Sequence, residues 1–196
     1  LRYRDALEDL ARIGESRGQF DAHQEARWHL LHGACKWHLE GGKAAAADFI
    51  RAGELYKDED KFAAAGVRGL LLQGDAASAA AAGTEALKTF PASLAVWQVT
   101  ANARMNLGEK FDLEDIPSAL RGEADALQML AWSRHRHGDK AGAAHAALQA
   151  LDAATPSFFT RDTALSLCLD LAAGDGVSAA FRMFGADERA DLERCI

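Results

Sequence analysis

Proline is scarce in this chain, and so is cysteine: each occurs three times in 196 residues. Cys35, Cys168 and Cys195 are odd in number, far apart and form no CxxC pair. A disulfide framework is thereby excluded, and a reducing, cytoplasmic compartment is favoured. No apolar run approaches the ~18 residues of a membrane span. There is no basic run, and 22 Lys and Arg face 29 Asp and Glu, for a net charge of −7. Phosphate binding needs clustered Lys and Arg, so nucleic acid is not expected as a main partner. Strand-type alternation is nearly missing. So are the GxSxG elbow, the P-loop, a GxGxxG after a strand and HExxH, and neither a catalytic residue nor a cofactor is expected. The chain starts at Leu1 rather than Met, which leaves room for a removed N-terminal signal.

What the sequence has is alanine, about a fifth of all residues, the best intrinsic helix former. Apolar residues recur at helical spacing, as in Leu7, Leu10, Ala11 and in Leu127, Leu130, Ala131. Short Gly-containing breaks separate the segments, among them Gly41-Gly42, Gly74-Asp75, Leu107-Gly108 and Gly138-Asp139. Glycine suits the C-terminal cap of one helix and Asp the N-terminus of the next. The breaks recur at intervals of 33, 34 and 30 residues from Gly41 to Gly138. Such periods signal a helical repeat array.

Aligned on these glycines, the units share further positions. Gly74-Asp75 precedes Ala79, Ala86-Leu87 and Pro91; Gly138-Asp139 precedes Ala143, Ala147, Ala150 and Pro156; Trp97 and Ala101 precede Gly108. In these features the chain resembles the tetratricopeptide repeat family. Residues 60–93 and 124–157 carry the pattern well, and residues 27–59 carry it in part. The resemblance implies an all-α fold of antiparallel helix hairpins, roughly ten helices, stacked into a right-handed superhelical solenoid. The expected organisation is one solenoid domain over 1–196. It has a flanking hairpin at 1–26, repeats over 27–157 with a degenerate second helix near 109–121, and a capping hairpin at 158–196. In the degenerate stretch, Phe111 to Pro117 is acidic and carries a helix-breaking proline.

In that family the first helix of each hairpin lines a concave groove that holds a peptide, a helix or a protein subunit. The matching positions here are Lys61, Ala64 and Arg68, then Gln98, Asn102 and Met105, then Gln128, Trp132, His135 and Arg136. Amides stand where a core would take apolar residues, and Trp132 is a large rigid anchor of the kind enriched at binding hot spots. The family's carboxylate clamp is matched only at Asn102 and at Lys61 or Arg68, so binding of chaperone tails is not expected. The leading expectation is a non-catalytic protein-interaction module, with self-association through Phe158-Phe159 or Phe181 and Phe184 as an option. Another reading is a sensor or regulatory segment of a longer protein whose enzymatic domain lies elsewhere.

One cluster invites a third reading. His29, His32, Cys35 and His38 recur every three residues, and adjacent pairs on one helix face could chelate a soft or borderline metal. The same segment carries Trp28, Leu30, Leu31, Ala34 and Trp37. The histidines are therefore read as the polar edge of a packed helix, and no metal site is expected. Arg134 to Asp139, which superficially resembles a kinase catalytic loop, is read as a helix end followed by the repeat turn. The carboxylates of Glu109, Asp112, Glu114 and Asp115 are read as a solvated connector, and the cysteines as inert.

Overall fold

The computed structural model of the chain describes residues 2–153. These residues form eight α-helices, three short 3-10 turns and no strand. The chain divides into two compact units, Leu1–Gly108 and Glu109–Ile196.

The first unit holds α1 (Tyr3–Gly14), α2 (Ala22–Glu40), α3 (Gly42–Leu55), α4 (Asp60–Leu72), α5 (Ala76–Thr89) and α6 (Leu94–Asn106). Each packs chiefly on its neighbours in sequence, and α4 also packs on α6. The second unit begins with an irregular stretch and continues into the pair α7 (Ala124–Arg136) and α8 (Lys140–Asp152). The described residues are thus all-α, in sequential helix pairs. The expected capping hairpin at 158–196, with Cys168, Cys195 and the C-terminal phenylalanines, lies outside them.

The turns follow from local chemistry. Gly41, Gly74, Gly108 and Gly138 have φ of 93°, 89°, 78° and 81°. They are the four glycines that set the repeat register, and among the described residues no other has positive φ. Side chains avoid that region and glycine does not. The Asp75 carboxylate then accepts from the Ser78 N–H, and Asp139 accepts from the Gly142 N–H, capping α5 and α8. Ser93 caps α6 through the Val96 N–H and donates to Asp60, 33 positions earlier, at the start of α4.

The core is built from small residues with a few large ones. Ala64, Val67, Ala79, Val96, Val99 and Ala103 form one buried cluster across α4, α5 and α6. Ala26, Ala52 and Phe62 form another across α2, α3 and α4. Ala79 and Ala143, expected where paired helices approach most closely, are fully buried, and Trp97 is 1% exposed. The backbones of α3 and α4 approach closely. A Cβ on Gly69 would lie 2.7 Å from the Ala46 carbonyl oxygen, and one on Gly53 would lie 2.8 Å from the Gly66 Cα. These helices touch backbone to backbone, and only glycine leaves room.

No α-helix forms between Asn106 and Ala124, only 3-10 turns at Leu113–Asp115 and Ser118–Leu120. The expected solvated connector needs correcting on its apolar side. Glu109, Glu114 and Asp115 are exposed, but Phe111, Ile116 and Leu120 are buried. The Ser133 hydroxyl on α7 accepts from the Phe111 N–H at 3.1 Å and donates to the Phe111 carbonyl at 3.3 Å. Arg121 donates to the carbonyls of Ile116 and Glu114. The stretch lacks α-helix, and its backbone is tied to α7 through Ser133.

Candidate functional site

The groove positions divide by burial. Met105 and Gln128 are each 8% exposed. They belong to the packed faces of α6 and α7 and offer no open groove surface. Ala64 is likewise buried. Lys61, Asn102 and Arg136 are exposed; Arg68, Gln98, Trp132 and His135 are half-buried.

In the first unit, Lys61 pairs with Glu59 and its ammonium lies 4.9 Å from the Phe62 ring centre. The Arg68 guanidinium on α4 lies 5.3 Å over the ring of Trp37 on α2. That distance is within cation–π range. Trp37 also meets Phe49 edge-on and remains 38% exposed. Among the described residues no carboxylate pairs with Arg68. Burial pulls its guanidinium below the ordinary arginine value, because a charge taken out of water loses hydration. Trp37 was not among the groove positions. Its signal was a tryptophan near the end of a first helix, four residues before the Gly41 turn.

In the second unit, Trp132 meets His135 edge-on, their ring centres 5.9 Å apart. The buried His135 Nδ1 has no hydrogen-bond partner. Nearby, Arg134 donates to the Gly142 carbonyl. Arg134 to Asp139 forms the end of α7 and the turn into α8, as expected.

The four residues of the spaced cluster on α2 are not brought to one point. Cys35 is buried, and burial raises its thiol. His38 stacks on Tyr3 of α1, with ring centres 4.1 Å apart. His29 and His32 instead converge on Asp48 of α3, which sequence reasoning missed. The His29 Nδ1 lies 2.9 Å from one Asp48 oxygen, and the His32 Nδ1 lies 2.9 Å from the other. Lys36 donates to that second oxygen at 3.0 Å. Asp48 is 7% exposed. Burial by itself would raise its carboxyl. Hydrogen bonds from His29, Lys36 and His32, with the charge of His32, outweigh burial and hold it below the usual carboxylate range. Its sequence signal was a lone charge between Ala47 and Phe49, in an otherwise small and apolar stretch of α3.

The network continues outward. Arg17, in the turn between α1 and α2, uses Nη2 to reach the His29 Nε2 at 3.0 Å and the Glu25 carboxylate at 3.2 Å. Its guanidinium lies 4.2 Å over Trp28, which also stacks on the ring of His32 at 4.4 Å and meets His29 edge-on at 5.0 Å. The Trp28 indole N–H donates to the Leu10 carbonyl of α1 at 2.8 Å. Chemically this is a charge-balanced strut: Asp48 answers Lys36, and Glu25 answers Arg17. Among the described residues, no three His, Cys, Asp or Glu side chains are grouped to hold a metal ion, and no helix is long and apolar enough to cross a membrane.

No protein-family model matches the sequence, and no curated protein shows significant similarity to it.

Proposed function

We propose that the chain is a protein-interaction module of the tetratricopeptide type, non-catalytic, and that its first unit binds a partner over the first-helix face formed by α2, α4 and α6. The observation that carries this reading is Arg68: half-buried, stacked on a partly exposed tryptophan, and lacking a carboxylate of its own. A desolvated guanidinium gains from a bidentate carboxylate more than an exposed one does. An aromatic beside it supplies rigid apolar contact. The face therefore fits a partner segment that presents an acidic side chain next to an apolar one. Asn102, exposed on α6, adds a donor and an acceptor for the partner's backbone. The glycine-set register of the pairs α2–α3, α4–α5 and α7–α8 supports the tetratricopeptide reading.

The test is an affinity capture from host lysate with wild type, Arg68→Glu and Trp132→Ala, each checked for unchanged helicity. A partner lost with Arg68→Glu and kept with Trp132→Ala supports the reading. A partner retained by both variants removes it. Capture of nothing by wild type favours a regulatory segment of a longer protein.

A further inference from the structure

We propose that His29 is a pH-operated latch: as a neutral ring it bridges Arg17 to Asp48, and its protonation on acidification releases Arg17 and loosens α1 on α2. The hydrogen-bond geometry assigns the tautomer. Asp48 is an acceptor, so the His29 Nδ1 at 2.9 Å carries the proton and donates. Arginine has only donors, so the His29 Nε2 at 3.0 Å from Arg17 Nη2 accepts. A second proton on this ring has only Nε2 to occupy. It would set N–H against N–H and cation against cation at that distance, while the Asp48 side gains an ion pair. Acid therefore breaks one side of the bridge and strengthens the other.

The charges around His29 come from three elements. Asp48 on α3 and Arg17 in the α1–α2 turn face His29 directly. His32 and Lys36 on α2 occupy the other Asp48 oxygen, and Glu25 on α2 holds Arg17. Among the described residues, α1 and α4 put no charged side chain in contact with His29. Arg17 is poorly fixed without the histidine, since its buried Nε has no hydrogen-bond partner. What remains is Glu25 at 3.2 Å and the stack on Trp28. Trp28 is the link to α1, because its indole N–H holds the Leu10 carbonyl. Loss of the Arg17 cover opens one face of that indole to water.

The experiment is nitrogen-resolved NMR of the histidine rings in the full chain, with amide and indole exchange followed from pH 8 to pH 5. At pH 8 the His29 Nδ1 should appear protonated and Nε2 bare. Through the His29 titration, protection factors (corrected for intrinsic exchange) in α1 and at the Trp28 indole should fall about tenfold, while α4 and α5 hold theirs. His29→Gln should abolish the step and His32→Gln should keep it. A proton on Nε2 at pH 8 overturns the proposal. So does flat protection of α1 and Trp28 through the titration, or a step that survives His29→Gln. If His29→Gln fails to fold, the two wild-type readouts decide alone.

Discussion

At the scale of single residues, Asp48 organises the chemistry of the first unit. One buried carboxylate takes three donors from α2. Removing it leaves Lys36 and two imidazole N–H groups facing an apolar helix. Asp48→Ala should therefore cost about 2–3 kcal/mol in a urea melt at pH 6, below the full penalty of an orphaned ion pair because Lys36 can turn to water. The pH dependence has a definite sign. The folded carboxyl lies below its unfolded value of about 3.9. Its stabilisation is thus complete above about pH 4 and fades as pH falls through the lower, folded value. The gap between wild type and Asp48→Asn should narrow as pH falls below about 4. A gap that does not narrow on acidification would mean that the carboxylate charge is not what stabilises α2 on α3.

At the scale of elements, the glycines do two kinds of work, and only one was legible. Those at 41, 74, 108 and 138 were readable because a C-terminal cap recurs every 30 to 34 residues and, at three of the four, is followed by an acidic residue. The structure puts all four at positive φ. Gly53, Gly66 and Gly69 lie inside helices, where sequence alone shows only a propensity cost of about 1 kcal/mol each. Their reason is the crossing of α3 and α4, a fact of pairing that no single segment contains. Gly69→Ala should destabilise by about 1–3 kcal/mol despite its better helix propensity, because the added methyl meets backbone that cannot swing away. Gly122→Ala, with nothing near its Cβ position, is the matched control and should shift a melt by less than about 0.5 kcal/mol. The Asp48 cluster was hidden for the same reason as the crossing glycines. Spacing displayed two of the three α2 donors, His29 and His32, but not Lys36, and their acceptor lay 12 to 19 positions away on another helix. The expected groove was legible only as a helix face. Which of its positions point outward depends on how α6 and α7 pack, and that is why Met105 and Gln128 turned inward.

At the scale of the whole molecule, stability is distributed between neighbours. In the first unit each helix packs mainly on those next to it in sequence, so an alanine-rich interior depends on its few large side chains. Trp97 is the largest of the fully buried ones. Trp97→Ala should cost about 3–5 kcal/mol, the usual loss for a buried aromatic in a site that cannot collapse onto the void. In a linear array such a loss is felt first by the elements that share the interface and decays along the stack. Hydrogen exchange should then show the largest drop in protection in α6, which carries the substitution, and in α4 and α5, which pack on α6, and the smallest in α1 at the far end of the first unit. A uniform drop across α1 to α6 would mean that the unit unfolds as one cooperative core. A melt shifted by less than about 1 kcal/mol would mean that the indole contributes little packing despite its burial. Either result would weaken the tetratricopeptide reading, because a repeat array stabilised through its interfaces requires both the large loss and its decay with distance along the chain.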